Sequence, residues 1–174
     1  MLKYYAIVFL ISMVPLIELR GAIPVGFALF QKALELPENQ VLPPFYIVTI
    51  YLTAIIGNMI PVPIIFLFAR KFLEWGQDKR FIGKICTFFL VKGKGAGDRL
   101  TQKAGRGVFA ALLLFVGIPL PGTGAWTGTL GASLLDMKFR DTVVAVMLGV
   151  LLAGVIMMAG SFGLFTALFS FAGK

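Results

Sequence analysis

Two long stretches without a charged residue limit what this chain can fold into more than any other feature. Residues 41–69 form a charge-free run of 29 residues, and residues 142–172 form one of 31. About 20 apolar residues suffice for a helix to cross the hydrocarbon core of a bilayer, so each run is predicted to cross once, with tilt. Hydrophobic residues make up 59% of the chain, against roughly 45–50% in soluble domains. We therefore expect an all-α integral membrane protein, with residues 1–174 forming a single membrane domain.

The segment 115–128 interrupts an apolar stretch with two prolines and four glycines. Proline removes an amide donor and glycine costs backbone entropy, so a helix is predicted to stop near Ile118 and another to begin at about Ala125. Residues 15–24, which begin and end with proline, separate two other short apolar pieces, 4–17 and 25–34. A helix of 14 residues is only about 21 Å long, too short to cross. Both places are predicted to be re-entrant helical hairpins, although one long kinked helix is an alternative for the first.

Each predicted hairpin is followed by one of the long runs, which carries a late Gly/Pro-rich or Gly-rich segment at 57–63 or 160–163. The chain is therefore predicted to be an inverted repeat: repeat one covers 1–75 and repeat two covers 105–174. Each repeat is a hairpin followed by a long helix broken late in its length. Between them, residues 76–104 are a basic connector, whose apolar side chains at helical spacing suit an amphipathic helix in the membrane interface.

The basic residues indicate the orientation. Twelve of the sixteen lie between Arg70 and Arg140, and lysine and arginine collect in cytoplasmic segments of membrane proteins. Residues 70–106 and 136–141 are thus predicted to be cytoplasmic and both termini outside, in a multi-pass protein of the cell membrane. The net charge of +8 is explained by this bias, so the expected partner is the lipid bilayer and not nucleic acid. The oligomeric state stays open, with a homodimer as one option because two crossings are few for an isolated pathway.

Under this topology the tips of the two hairpins meet near the midplane, and Glu18 and Arg20 are the charged residues placed deep in the membrane. Such residues are rare there and mostly functional or paired. Glu18 is expected to bind a proton or cation and Arg20 an anionic group; a structural ion pair pinning the hairpins is the alternative. Asn58 either bonds a neighbouring helix or lines the pathway. The complete predicted site is Glu18, Arg20, Asn58, Pro119, Pro121, Gly122, Thr123, Gly124, Trp126 and Thr127.

Several kinds of chemistry are excluded by residue types. The chain has no histidine and one cysteine, Cys86, which leaves no imidazole relay, no internal disulfide and no multi-cysteine metal site. We expect no cofactor and no resident metal, with coupling to protons through Glu18 as the exception to consider. An enzyme acting on lipids would need a nucleophile and base that are not evident, so the chain is not expected to be an enzyme.

Three motifs carry a family resemblance. Residues 18–24 (ELRGAIP), 57–63 (GNMIPVP) and 118–128 (IPLPGTGAWTG) resemble the small multidrug export proteins of bacteria and archaea, over nearly the whole chain. The layout is more distantly similar to DedA-like membrane proteins, whose opposed hairpins are associated with movement of polyprenyl phosphates and phospholipids. The first resemblance implies an exporter of small amphipathic solutes or drugs. The second implies a flippase or translocase of a phosphate-headed lipid, and a membrane scaffold without transport is a third hypothesis.

Overall fold

A computed structural model describes residues 1–15, 17–37, 40–79, 83, 84, 86, 87, 105–120 and 122–172, and of residues 69, 70, 105, 106 and 162–172 it describes the backbone alone. Every regular element within these ranges is helical. The helices are α1 (Leu2–Met13), α2 (Glu18–Ala33), α3 (Pro44–Met59), α4 (Pro61–Gly76), α5 (Gly105–Gly117), α6 (Ala125–Leu134) and α7 (Phe139–Ala172). The expected all-α class is confirmed for this part of the chain.

The first predicted turn is shorter than expected. Helix α1 ends at Met13, and Val14 takes an extended conformation (φ −74°, ψ 128°), as expected for a residue that precedes a proline. Helix α2 already begins at Glu18 and contains Pro24, so the prediction of a turn extending to Pro24 is wrong. A proline inside a membrane helix removes one amide donor, and neighbouring groups can compensate for that loss. Glu18 and Arg20 therefore lie on the first turn of a helix.

The two late breaks behave differently. Ile60 separates α3 from α4, and Pro61 is the first residue of α4, a position where the missing amide costs nothing; the predicted break at 57–63 is confirmed. Helix α7 continues through residues 160–163 without interruption, so the second late break is wrong. That segment has glycines but no proline, and glycine keeps its amide donor. Helix α7 begins at Phe139, within the segment 136–141 that is predicted to be cytoplasmic.

Two stretches are long and apolar enough to cross a membrane. They are Pro44–Phe68, of 25 residues, and Phe139–Ser161, of 23. Only 33% of an 18-residue apolar window in each stretch is buried within the protein, and large apolar side chains such as Phe45, Ile56 and Val155 are exposed. This apolar exterior suits a lipid environment and would be costly in water. The two expected crossings match these stretches, by length and composition.

The short helices pack against the two apolar stretches and against one another. Helix α1 packs on α2 and α3, α5 packs on α7, α2 contacts both α3 and α7, and α4 packs on α6. Fully buried aliphatic side chains, including Ile23, Ile50, Val116 and Val150, fill the centre. Two hydroxyl groups tie helices together: Tyr51 donates to the carbonyl of Leu151 at 2.9 Å, and Ser133 donates to that of Phe66 at 3.0 Å.

The predicted amphipathic connector lies largely outside the described residues. Residues 83, 84, 86 and 87 are helical, and Cys86 is a buried free cysteine, in keeping with an apolar filler.

Candidate functional site

A tight loop, residues 118–124, connects α5 to α6. Helix α5 ends at Gly117 and α6 begins at Ala125, as predicted. Gly122 (φ +82°) and Gly124 (φ +132°) adopt backbone conformations that residues with a Cβ atom rarely take. The Thr123 amide donates to the carbonyl of Leu120 at 3.2 Å. We call this loop the second tip, and residues 14–18 the first tip.

Glu18 joins the two tips. Its side chain is buried, with 4% exposed. One carboxylate oxygen, Oε2, accepts the amide N–H of Ala125 at 3.1 Å, and the other, Oε1, accepts that of Trp126 at 3.1 Å. The first amides of a helix lack partners within the helix, and its N-terminus favours negative charge. Glu18 therefore supplies the side-chain cap that Gly124, at the N-cap position of α6, cannot.

Close packing accompanies this cap. A Cβ atom on Gly124 would lie 2.3 Å from Glu18 Oε2 and 2.7 Å from Cδ, far inside van der Waals contact. Glycine at 124 thus serves two needs: the unusual φ angle and room for the carboxylate. Glu18 itself has φ +50°, a conformation uncommon outside glycine.

Arg20 binds the same loop. Its Nη1 group donates to the carbonyl of Leu120, and Nη2 donates to Thr123 Oγ1 at 2.7 Å. The Thr123 hydroxyl in turn lies 3.0 Å from the carbonyl oxygen of Ile118 and 2.9 Å from that of Leu120. The arginine expected to meet an anionic group therefore has two of its donors on the second tip. Glu18 and Arg20 of α2 thus both hold α6 and its loop in place.

A cavity of 630 Å³ opens beside this contact, between the first tip, α4 and α6. Its α4 wall is apolar and includes Ile64, Phe68 and Phe72, which are 56–61% exposed. Binding cavities for small molecules typically span about 300–1,000 Å³ with mostly apolar walls. This volume is therefore ample for a small organic molecule.

The polar side chains of this cavity are concentrated where the tips meet. They are Glu18, Thr123, Trp126 and Thr127. Among the lining residues, all of which are described, only Glu18 carries a charge. The Trp126 indole Nε1 and the Thr127 hydroxyl are buried without a hydrogen-bond partner among the described residues. The cavity is thus apolar over most of its wall, and Glu18 gives it one carboxylate where the tips meet.

A second cavity of 320 Å³ lies on the opposite side of α6, against α5. Its lining is apolar apart from Thr127, which also lines the first cavity. Gly131 faces open space there, since a Cβ atom would meet nothing within 4 Å.

The predicted site residues are brought together only in part. Glu18, Arg20, Thr123, Gly124 and Trp126 meet through the contacts above, while Gly122 and Pro119 shape the second tip and Thr127 lines both cavities. Pro121 lies outside the described residues. Asn58 is fully buried with neither amide atom partnered among the described residues, and it lines neither of these two cavities.

Sequence reasoning missed the apolar wall on α4. Ile64, Phe68 and Phe72 recur every fourth residue, which places them on one face of a helix, and this spacing was available as a signal. Within the described residues, no group of three or more histidine, cysteine, aspartate or glutamate side chains is positioned to hold a metal.

The sequence matches the family described as "Putative small multi-drug export protein" over residues 18–156. This range starts at Glu18 and includes the residues of α6 that line the two cavities. Searches of curated proteins and of solved structures find no match.

Proposed function

Because this chain belongs to the small multi-drug export family, which its match over residues 18–156 establishes, we propose that it moves small amphipathic organic cations out of the cell through the cavity beside the two tips. It is a membrane transporter by family, and we infer that it performs no covalent chemistry. The observation that carries the proposal is the 630 Å³ cavity with Glu18 as its one charged lining residue.

The carboxylate favours a cationic ligand. An ionised carboxylate has about four lone-pair positions, and two of them accept the amides of Ala125 and Trp126. The remaining positions can interact with an ammonium or phosphonium group, whose apolar substituents would contact Phe68 and Phe72. Burial strengthens this attraction because the local dielectric is lower than in water.

The same geometry weighs against the alternative, a flippase for a phosphate-headed lipid. That hypothesis depends on Arg20 and on free amides at the start of α6. Glu18 occupies those amides, and Arg20 donates to Leu120 and Thr123. A phosphate group would have to displace these contacts before it could bind.

Proton coupling through Glu18 belongs to this proposal. Protonation would remove the negative charge that caps α6, and a carboxylate at a helix N-terminus contributes about 0.3–2 kcal/mol. Proton binding, cation binding and the contact between the tips would then compete for one group. A transporter needs such competition to couple the movement of a solute to the movement of protons.

The inverted repeat and the re-entrant hairpins are also proposed. They are supported by the pairing of α1 with α3 and of α5 with α7, and by a break between two short helices in each half, α1 and α2 in the first and α5 and α6 in the second. Discontinuous helices that meet at the centre are the common plan of secondary transporters. We further propose that residues 70–106 and 136–141 face the cytoplasm, with both termini outside, and leave the homodimer as the assembly to test.

The test compares Glu18→Gln with Glu35→Gln, an exposed carboxylate that lines neither cavity, in purified protein reconstituted into liposomes. Tetraphenylphosphonium binding and efflux driven by a pH gradient are measured. Hydrogen bonds and contacts to charged groups contribute about 1.5–3 kcal/mol, so E18Q is expected to weaken binding about tenfold or more and to abolish pH-driven efflux, while E35Q matches the native protein. Equal binding by both variants, or preferential binding of a polyprenyl phosphate by the native protein, would overturn the proposal.

A further inference from the structure

We propose that the 630 Å³ cavity opens sideways into the bilayer, so that a lipid acyl chain fills it at rest and the cation replaces that chain from within the membrane. This inference rests on the proposed function and narrows its substrate class, from small amphipathic cations in general to those that dissolve in the hydrocarbon before they bind.

The first step is the opening itself. Ile64, Phe68 and Phe72 line the cavity, yet each of them is 56–61% exposed in the part of the chain that the structure describes. A residue that lines a cavity and is more than half exposed lies at its mouth, so α4 forms one edge of an opening on the outer surface of the bundle. Leu130 of α6, which also lines the cavity and is 40% exposed, supplies a second edge.

The second step is the depth of this opening. Ile64 and Phe68 belong to the stretch Pro44–Phe68, which is long and apolar enough to cross a membrane. Further along the chain, Trp75 is 57% exposed and the Lys79 ammonium lies 4.6 Å from the centre of its ring; both residue types are typical of the membrane–water interface. With a rise of about 1.5 Å per residue, Ile64 lies about 16 Å from Trp75 along α4, roughly half the thickness of a hydrocarbon core of about 30 Å. The opening therefore faces acyl chains along most of its length.

The third step is the occupant. An apolar wall offers no hydrogen bonds to water, so an acyl chain is the occupant that the surrounding bilayer supplies. Lipid tails are about as apolar as the side chains of a membrane helix, and a substrate's apolar groups therefore gain little when they replace one. The preference of the cavity for a cation over lipid then comes from Glu18, its one charged lining residue. A compact, strongly hydrated ammonium ion is excluded, because it would have to lose its water before it reached Glu18.

The experiment uses Trp75→Phe, whose one tryptophan is the cavity residue Trp126, in nanodiscs of phosphatidylcholine brominated on its acyl chains. Bromine quenches only at close range, so an acyl chain in the cavity should quench Trp126, and butyl- or hexyltriphenylphosphonium should relieve the quenching as it takes the chain's place. Relief is followed by stopped flow at equal aqueous concentrations of the two probes. Two further methylenes raise the concentration in the membrane roughly 15-fold, so the hexyl probe is expected to associate roughly 15-fold faster. Entry from water would give nearly equal association rates, with the difference in affinity appearing in dissociation.

The same protein in unbrominated lipid is the control and should show neither the quenching nor its relief. Binding of both probes is also measured by calorimetry, corrected for partition into empty nanodiscs. Equal association rates, a Trp126 signal that brominated lipid leaves unquenched, or saturable binding that does not relieve the quenching would overturn this inference and leave the exporter proposal standing. Absence of saturable binding of either probe would instead overturn the proposed function.

Discussion

Gly124→Ala tests the contact between the two tips most sharply. The added Cβ would lie 2.3 Å from Glu18 Oε2, so the carboxylate must move. Glu18 is a flexible side chain, but its oxygens are held by Ala125 and Trp126. Losing one of these charge-assisted hydrogen bonds costs about 1.5–3 kcal/mol, and a side chain at φ +132° adds about 1–3 kcal/mol of backbone strain. We expect a total destabilisation of roughly 2.5–6 kcal/mol from these two contributions.

Gly122→Ala is the matched control. Gly122 also has a positive φ angle, +82°, but a Cβ atom there would meet nothing within 4 Å. Its cost should be the backbone strain alone, about 1–3 kcal/mol. Because Gly124 (φ +132°, ψ −172°) lies in a region that is essentially restricted to glycine, the backbone strain differs between the two variants, and the Glu18 contact is isolated by repeating both in a background without that carboxylate.

The assay is reversible unfolding in mixed micelles by SDS, applied to both glycine variants in native and Glu18→Ala backgrounds. In the E18A background the cost of G124A should fall by about 1.5–3 kcal/mol, since no carboxylate remains to be displaced. The cost of G122A should not change. Equal destabilisation by the two variants, or additivity of G124A with E18A, would refute the proposed role of Glu18 as the cap of α6.

Two further predictions concern the packing around α6 and the buried amide of α3. Gly131→Ala should leave the free energy of unfolding unchanged or raise it by about 0.4–1 kcal/mol. The new methyl group has room in the open second cavity, and alanine reduces the conformational entropy of the unfolded chain. Gly128→Ala should lower it by about 1–3 kcal/mol, because its Cβ would lie 2.6 Å from a methyl of Val116; equal effects in SDS unfolding would contradict this packing. Asn58→Leu should raise stability by about 1–3 kcal/mol, since it removes the desolvation cost of an unpartnered buried amide. A loss of stability in the same assay would mean that Asn58 has a partner in the membrane-embedded protein.

The sequence predicted those features that depend on local chemistry. Proline and glycine located the end of α5 and the start of α6 to within a residue. The lack of charged residues identified the two long spans. Proline was a poor guide inside α2, because a single missing donor at Pro24 did not end the helix. Glycines at 160–163 were likewise insufficient to break α7, since they keep their amide donors.

The sequence indicated which residues come together at the candidate site but not how they are arranged. Charge in an apolar setting singled out Glu18 and Arg20, and both contact the second tip. That Glu18 caps a helix beginning 107 positions later depends on tertiary packing, which no local pattern encodes. Asn58 is the converse case: it is conspicuous as a polar residue in an apolar span, yet it lines neither of the two cavities.

The most direct test of the central claim, that a cationic solute binds beside Glu18, is quenching of Trp126 fluorescence. Trp75→Phe leaves Trp126 as the remaining tryptophan, and Trp75 does not line the cavity. A bromobenzyl-triphenylphosphonium cation, whose bromine quenches only at close range, is titrated into this variant in detergent, with Trp126→Phe as the control that reports from Trp75. We predict saturable quenching of Trp126 that Glu18→Gln shifts to about tenfold higher concentration, and weaker quenching of Trp75, whose ring centroid lies 6.0 Å from that of Phe72 in the cavity wall. Equal quenching of the two tryptophans, or a Trp126 titration that E18Q leaves unchanged, would contradict the proposal.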